Sequence, residues 1–376
     1  MKLTRDQDAT AARREGGPED EAKPGDLDAQ KRPIRFVYFW VGVKLTPCVA
    51  EGCPYGQPFF LASACSFEKE GGIPMKKMLI RMLALVLALS MNLGLAQAAT
   101  DMAGREVTLQ EPAQRVVVLT PSDVEILYAL GAGDTLAGRG EYANYPLAAL
   151  DVPSVQSGME TNIEQIIALE PDLVIMAVMA QTPEQVERLE KAGIAVAVTN
   201  ATDIAGTYEA ITLIGSLVGR SDEAAALVKD MQARFDSLRE KAASLEGGSV
   251  YFEVSPLMYG LWTAGKGTFM QEIADIVGLK NVFEDVNGWA EVSQEQVLAR
   301  DPDFIVTVAM YFGEGPTPAE EISSRAGWEN LQAVKNLRVL QLDSDEVSRP
   351  GPRLANAAEL LFDLVHTGGQ TVKTTE

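Results

Sequence analysis

The chain after residue 110 alternates short runs of consecutive apolar residues with stretches of helical periodicity. The apolar runs are rich in β-branched residues and predict buried strands of a parallel sheet. They lie at residues 115–120, 173–178 and 194–198. The Pro-Ser-Asp at 121–123 and the Thr-Pro-Glu at 182–184 carry signals that begin helices, and Gly131 and Gly193 end those helices. Because strands and helices alternate, this part of the chain predicts an α/β lobe.

A long helical stretch follows, from about residue 207 to residue 245. Gly215 and Gly219 interrupt its first half, and the Ser-Asp-Glu at 221–223 predicts a new helix start with a serine cap. From there to residue 246 no strand signal occurs, so this second helix is long enough to span a domain. Strand-like runs then resume and alternate again with helical segments, at residues 250–254, 304–308 and 339–342.

The two series of strands share a repeated segment. Residues 164–175 align without gaps with residues 295–306, and each copy predicts a helix that ends before Pro-Asp and is followed by a strand. The sequence therefore predicts two related α/β lobes with a long helix between them. The expected units are an N-terminal lobe, an inter-lobe helix, a C-terminal lobe and a tail, at residues 99–218, 219–246, 247–366 and 367–376.

The N-terminal part has a different character. A basic segment begins at Met75, an apolar run extends from residue 82 to 95, and Ala-Gln-Ala follows at 96–98. This order is typical of a secretory signal peptide, so residues 75–98 predict export, with cleavage after Ala98. An uncleaved membrane anchor is the alternative, which is disfavoured because the apolar run is shorter than the about 20 residues that a bilayer requires. No cysteine follows the run, which disfavours a lipid anchor.

Residues 1–74 precede this signal. They are charged up to Arg35 and then become aromatic and cysteine-bearing. Since a signal peptide opens its protein, we interpret them as an extension upstream of the true start, with a real disordered extension as the alternative. The Lys-Glu-Gly at 69–71, shortly before Met75, can be encoded by a ribosome-binding sequence. The genomic codons test this interpretation.

The amino-acid composition disfavours or excludes several kinds of binding site and catalytic site. The 376 residues include 32 Lys+Arg against 53 Asp+Glu, a net charge of −21, which argues against the clustered positive charge that nucleic acid binding requires. The one histidine, His366, excludes zinc sites built on several histidines and any Ser-His-Asp triad without that residue. The three cysteines all lie within the first 65 residues, at positions 48, 53 and 65. No catalytic residue, metal site or cofactor is predicted.

One segment approaches a nucleotide-binding motif. Residues 260–267 nearly match a phosphate-binding loop, but Gly267 stands where a serine or threonine binds Mg²⁺, and the Leu-Trp inside the loop is apolar. Nucleotide binding is therefore disfavoured. His366 lies beside Thr-Gly-Gly and is expected past the last helix, at an exposed helix end.

Several motifs together resemble a known family. They are the strand and helix at 115–131, the Glu-Tyr-Ala-Asn-Tyr-Pro at 141–146, the two Pro-Asp units and the Ser-Arg-Pro-Gly-Pro-Arg-Leu at 348–354. Their order across residues 99–366 resembles the periplasmic substrate-binding proteins of ABC transporters for cobalamin, haem and ferric siderophores. The resemblance implies two Rossmann-like α/β lobes joined by a single long rigid helix, with a ligand cleft between the lobes. It also implies an exported receptor rather than an enzyme.

The resemblance further implies ligand-binding residues. Tyr142 and Trp289 match pocket aromatics of cobalamin binders, and flat aromatic faces suit a large macrocycle. Arg349 and Arg353 flank a Pro-Gly-Pro loop that borders the cleft in this family, where an arginine meets an anionic ligand group; ordinary surface charge is the alternative. Some of five further residues that follow predicted strands of the second lobe are expected to face the ligand, because the carboxyl ends of such strands line α/β clefts; the sequence does not decide which of them do. They are Tyr251, Tyr259, Trp262, Met310 and Tyr311.

Glu164 and Glu295 match the two docking carboxylates of the family, one for each lobe. Each lies near the start of its repeat helix, where a carboxylate also favours the helix dipole, so simple helix-start chemistry is the alternative. In the family such acids pair with arginines of the two permease subunits. The resemblance thus implies an ABC permease dimer with its ATPase as the partner.

The ligand stays open between cobalamin, a ferric siderophore and haem. Cobalamin is favoured by Tyr142 and Trp289, and residues 21–27 can be encoded by a string that resembles the closing box of a cobalamin riboswitch. Gln156 and Ala177, however, stand where cobalamin binders can have tryptophan. A chelatase-like enzyme and a ligand sensor on the same fold are the alternatives from other classes. We expect the rigid helix to permit only small lobe motion.

Overall fold

The computed structural model describes residues 97–367 except 159, 180, 181, 312 and 314. The predicted extension, the three cysteines and nearly all of the predicted signal peptide lie outside the described residues. The described chain opens with an antiparallel pair of strands, β1 (Gln97–Thr100) and β2 (Glu106–Leu109). Cleavage after Ala98 would leave the second half of β1 paired with β2.

A parallel sheet of five strands lies at the centre of the first lobe. Its strands are β3 (Val116–Val118), β4 (Leu136–Gly140), β5 (Ser154–Val155), β6 (Leu173–Ala177) and β7 (Ala195–Thr199), arranged in the order β5-β4-β3-β6-β7. The helices of this lobe are α1 (Pro121–Ala129), α2 (Ile163–Ala168), α3 (Pro183–Lys191) and α4 (Ile204–Leu217). The apolar residues of the central strands are buried, as the runs predict.

A single helix of 22 residues, α5 (Ser221–Ala242), leads from the first lobe to the second. At 1.5 Å per residue it is about 33 Å long. The residue before its first turn is Arg220, and no side chain caps the helix, so the predicted serine cap is wrong. Its buried face belongs to one apolar cluster that includes side chains of both lobes, and this face consists of Ala224, Met231, Phe235, Leu238 and Ala242. Because the core is continuous across α5, the helix is held on both sides.

The second lobe, which follows α5, has a four-stranded parallel sheet and a separate antiparallel ribbon. The parallel strands are β8 (Ser249–Glu253), β10 (Lys280–Asn281), β12 (Phe304–Thr307) and β13 (Val339–Gln341), in the order β10-β8-β12-β13. The ribbon pairs β9 (Leu261–Ala264) with β11 (Trp289–Val292). The helices are α6 (Phe269–Ile276), α7 (Gln294–Arg300), α8 (Pro318–Ser324), α9 (Gln332–Lys335), α10 (Ser344–Ser348) and α11 (Leu354–His366). The domain boundaries at 218 and 247 stay a prediction.

The repeated segment has the same local structure in both lobes. Glu170 and Asp301, at equivalent positions, have positive φ angles of 49° and 40° and precede Pro-Asp. The aspartate after each proline then binds the start of a neighbouring strand. Asp172 accepts a hydrogen bond from the backbone N–H of Gln114 at 2.8 Å, and Asp303 accepts one from the first residue of β8 at 2.8 Å. This shared contact explains why Pro-Asp recurs in both copies.

The structure bears on three sequence expectations. Tyr251, one of five residues of which only some are expected at the cleft, lies inside β8 and is fully buried, with its ring 5.6 Å from that of Phe283, so it is not one of those at the cleft. His366 is the half-buried last residue of α11 rather than an exposed residue beyond it, and its Nε2 lies 2.8 Å from the backbone oxygen of Val277. The segment 260–267 contains strand β9 and is therefore not a continuous phosphate-binding loop.

Candidate functional site

The two parallel sheets face each other through segments that follow their strands. Glu125 lies in α1, directly after β3, and Asn144 lies in the loop after β4. Both contact the segment that follows β13 of the second lobe: Asn144 Nδ2 donates to Asp345 Oδ2 at 2.7 Å, and Glu125 Oε1 accepts from Arg349 Nη1 at 2.9 Å. Since ligands of α/β sheets bind beyond the carboxyl ends of the strands, the space between these two edges is the candidate cleft.

A charged group, which we call the inter-lobe cluster, joins the two edges. It consists of Glu125, Asn144, Asp345, Arg349 and Arg353. The Glu125 side chain is only 2% exposed and accepts from both arginines. Arg349 also pairs with Asp345 at 2.7 Å. Two arginines thus neutralise two carboxylates, which is the condition for burying charge without a large desolvation cost.

The cluster changes what Arg349 is expected to do. Its Nη1 also donates to Asn144 Oδ1 at 2.7 Å, and its Nη2 donates to the backbone oxygen of Tyr142 at 3.3 Å. The structure therefore brings together two residues expected at the cleft, Tyr142 and Arg349, but the guanidinium already has protein partners. A ligand contact by Arg349 stays a prediction. Glu125 was missed by sequence analysis, although a lone carboxylate between Val124 and Ile126 signals a buried charge that needs a partner.

Aromatic and apolar side chains are exposed where strands of the first lobe end. Tyr142 follows β4 and is 70% exposed, and the Arg353 guanidinium lies 4.2 Å from the ring of the nearby Tyr145. Val178 and Met179 follow β6 and are also exposed. Gln156, which follows β5, is exposed as well. Large apolar groups that stay exposed at a strand edge favour ligand contact.

The second lobe shows the same feature. Tyr259 lies in the short turn after β8 and is exposed. Met310 and Tyr311 follow β12 and are also exposed, and the Tyr311 hydroxyl donates to the backbone oxygen of Gly315 at 3.1 Å. The structure thus places these three predicted residues at the carboxyl edge of the sheet, as the strand pattern predicts. Their contact with a ligand stays a prediction.

The two remaining aromatic candidates lie on the β9–β11 ribbon. Trp262 pairs with Glu291, and Trp289 pairs with Ala264, in antiparallel register. Because alternate residues point to opposite faces, Trp262, Glu291 and Trp289 share one face. The indoles are 39% and 40% exposed, and Trp289 packs edge-on against Phe269 at 5.5 Å. The other face packs into the second lobe: Leu261, Thr263 and Val292 are buried, and Ala290 is partly buried.

The two expected docking carboxylates lie at the starts of equivalent helices, Glu164 in the first turn of α2 and Glu295 in the first turn of α7. Both are exposed. Glu164 accepts from Arg188 Nη2 at 2.8 Å in an exposed ion pair. Glu295 has no ion-pair partner among the described residues, and a hydrogen bond with Ser293 lowers its pKa. Docking by these residues stays a prediction.

One buried carboxyl near the cleft is unusual. Asp123 lies in the first turn of α1, and its Oδ2 accepts from the Thr199 hydroxyl at 2.8 Å. Burial raises the pKa of Asp123 to about 6, although the hydrogen bond from Thr199 opposes this rise. The group therefore titrates at a pH where an ordinary aspartate is fully ionised.

A separate groove of about 570 Å³ lies where α4, α5 and α6 meet, and Tyr208, Arg239 and Glu272 contribute to its lining. None of the predicted site residues lines it. Over the described ranges, no group of three or more His, Cys, Asp or Glu side chains is arranged to hold a metal ion. In the same residues, no helix combines the length and the apolar content needed to cross a bilayer.

Two α/β lobes joined by one helix, with exposed aromatic side chains at facing sheet edges, define a two-lobed solute receptor. The sequence model of the periplasmic binding protein family matches residues 116–346. Because this match covers more than half of the chain, the protein belongs to the periplasmic binding protein family.

Three individual proteins are similar to this chain over most of their length. An uncharacterized ABC transporter substrate-binding lipoprotein of Bacillus subtilis is 35% identical over 272 residues, which are 71% of this chain and 84% of that protein. A vitamin B12-binding protein of Vibrio cholerae is 32% identical over 254 residues, 66% of this chain and 87% of that protein. The crystal structure of a possible iron-binding, periplasmic solute-binding protein from Staphylococcus epidermidis gives a TM-score of 0.58 at 31% identity, covering 67% of this chain and 98% of that chain.

These comparisons confirm the family inferred from the sequence motifs and its two-lobed α/β fold. The chain is a substrate-binding protein of the ABC-transporter type within this family. This family consists of solute-binding proteins.

Proposed function

We propose that the protein captures a corrinoid, with cobalamin as the best candidate, and delivers it to an ABC importer. The observation that carries this proposal is the pair of exposed indoles, Trp262 and Trp289, on one face of the β9–β11 ribbon. Flat aromatic faces bury a large area against a planar macrocycle at a small entropy cost. Tyr142, Tyr259, Met310 and Tyr311 supply further exposed apolar surface at both sheet edges.

The similarity to vitamin B12-binding proteins supports the same choice. The match with the Vibrio cholerae protein spans 87% of the length of that protein. The departures at Gln156 and Ala177 remain, since both stand where cobalamin binders can have tryptophan. Gln156 is exposed, whereas Ala177 ends β6 and is partly buried. We therefore assign the main aromatic contact to the ribbon of the second lobe.

A ferric chelate is the second candidate, with haem as a third. The similarity to a possible iron-binding protein of Staphylococcus epidermidis favours a ferric ligand. The same exposed aromatic side chains could contact a ferric chelate. An anionic chelate, however, also needs positively charged side chains that are free to bind it. Arg349 and Arg353 are already paired with Glu125. This pairing favours a ligand without strong negative charge.

Delivery would use the two exposed carboxylates. Glu164 and Glu295 occupy equivalent positions of the repeat, one on each lobe, and thus suit two equivalent arginines of a permease dimer. Export would use residues 75–98, with a mature chain that begins near Ala99. N-terminal sequencing of the protein recovered from the periplasm tests the cleavage site.

Titration tests the ligand. The purified protein is mixed with cyanocobalamin, haemin and a ferric siderophore, and tryptophan fluorescence and calorimetry are followed. Tight one-to-one binding of cyanocobalamin is the expected result. Preference for the siderophore or haemin would keep the receptor but replace the ligand. Binding of none of the three would favour the chelatase or sensor alternatives.

A further inference from the structure

The exposed face of the β9–β11 ribbon carries a carboxylate between its two indoles. Glu291 is the direct cross-strand partner of Trp262 and lies two residues after Trp289. Its side chain is exposed, and its carboxylate makes no ion pair or hydrogen bond within the described part of the chain. A carboxylate that lies between two exposed tryptophans and lacks a protein partner is available to a ligand.

The backbone keeps this carboxylate close to the indole. Gly260 has a φ of 88°, and a Cβ at this position would lie 2.9 Å from Glu291 Oε1 and 3.7 Å from Trp262 Nε1. Both groups therefore border the same small space above Gly260. The exposed Lys266 lies two residues beyond the end of β9, where its backbone pairs with Asn287. Lys266 forms no ion pair with Glu291 in the part of the chain that the structure describes.

We propose that Glu291 selects the ligand by the charge of the groups around the rim of the ligand's macrocycle. The site would accept a macrocycle whose rim carries hydrogen-bond donors such as primary carboxamides, and it would reject one whose rim carries carboxylates. This inference rests on the proposed function and deepens it. It separates corrinoids, which have amide side chains, from haem, which has two propionates.

The physical reason is a difference in what the ligand does to the carboxylate. An amide N–H that meets Glu291 forms a charge-assisted hydrogen bond, which is stronger than a neutral one. A ligand carboxylate that meets it adds a second negative charge, and each must lose water on binding without gaining a counter-ion. The arginines of the inter-lobe cluster offer little relief, because Glu125 and Asp345 already neutralise them.

The test compares three forms of the full chain: wild type, E291Q and E291D. Affinities for cyanocobalamin and haemin are measured by calorimetry at low and at high salt, and E240Q, which changes an exposed glutamate of α5, is the matched control. For E291Q we expect haemin to bind about tenfold more tightly, as removal of one like charge a few ångströms away predicts. Cyanocobalamin should bind about threefold more weakly. The haemin gain should shrink at high salt, and E291D should behave like wild type.

Three results would overturn the inference while leaving the receptor function intact. They are an unchanged affinity ratio in E291Q, an equal change in E291D, and a haemin gain that does not depend on salt. Failure of wild type to bind either ligand would instead contradict the proposed function, and with it this inference. The thermal unfolding temperatures of E291Q and wild type are also measured. If they are equal, the change in affinity reflects binding and not folding.

Discussion

Arg353 of the second lobe forms a bidentate ion pair with Glu125 of the first lobe: Nε donates to Oε2 at 2.8 Å, and Nη2 donates to Oε1 at 2.7 Å. This parallel contact is the strongest geometry available to an arginine and a carboxylate. The two residues are far apart in sequence, and each follows a strand of a different sheet. The pair therefore connects the two lobes at the candidate cleft.

Removing this contact should destabilise the protein. The variant E125Q leaves Arg349 and Arg353 without their shared counter-ion in a buried position, so we expect the free energy of unfolding to fall by about 3 kcal/mol. Urea unfolding followed by fluorescence measures it. E187Q is the control, because Glu187 and Lys191 form an exposed pair, whose loss should cost less than about 0.5 kcal/mol. Equal effects of the two variants would contradict the structural role of the cluster.

Ligand binding should change the overall shape very little. The lobes are joined by α5, by the inter-lobe cluster and by Glu272, whose carboxylate accepts from the backbone N–H of Ile204 across the lobe boundary at 2.6 Å. Three separate connections resist a wide hinge. In small-angle scattering, the radius of gyration with and without ligand should differ by less than about 1 Å. A larger decrease on binding would show that the lobes close.

Substitution of the two predicted docking carboxylates should reduce transport without changing ligand affinity. The double variant E164A/E295A removes one exposed carboxylate from each lobe and should leave ligand affinity unchanged. Transport should fall by about tenfold or more, since each lost charge pair weakens an interface contact. Uptake of labelled ligand by cells or vesicles measures this, with E240A as the control. Normal uptake by the double variant would assign docking to other residues.

Trp289 should matter for ligand affinity and less for folding. Its indole is partly exposed and contacts Phe269 edge-on. For W289A we expect affinity to fall by about 30-fold, as loss of a central aromatic anchor does, and W289F should retain most of the affinity. Titration measures both, and L245A, which removes an exposed apolar residue three positions after the end of α5, serves as control. An affinity equal to wild type would place the ligand elsewhere.

Asp123 should make stability depend on pH. Its pKa is raised from 3.8 to about 6 by burial, so the folded state holds the proton more tightly than the unfolded chain. Stability therefore falls as the pH rises from about 4 to about 6, and it stays level above that range. D123N keeps an acceptor for Thr199 but cannot ionise. Relative to wild type, its free energy of unfolding should rise by up to about 3 kcal/mol between pH 4 and pH 7. Urea unfolding at four pH values checks this, and a constant difference would refute it.

The order of elements could be predicted because it depends on local chemistry. The run at 173–178 became β6 because β-branched residues favour extended backbone and their burial stabilises it. The Pro-Asp units marked two equivalent helix ends, because proline cannot continue a helix beyond its first turn. The aromatic residues at strand ends were found in the same way, since the position of a strand end follows from the strand.

Pairs of residues far apart in sequence were decided only by the tertiary structure. No pattern along the chain predicts that Glu125 meets Arg353, because their contact depends on how the two sheets face each other across α5. The exposed group of Trp262, Glu291 and Trp289 likewise depends on the register of two strands that a helix separates. Tyr251 and Tyr259 look alike in sequence, yet one is buried and the other exposed. The sequence thus determined the elements and the family, whereas packing between distant segments decided which side chains are exposed at the candidate cleft and which hold the lobes together.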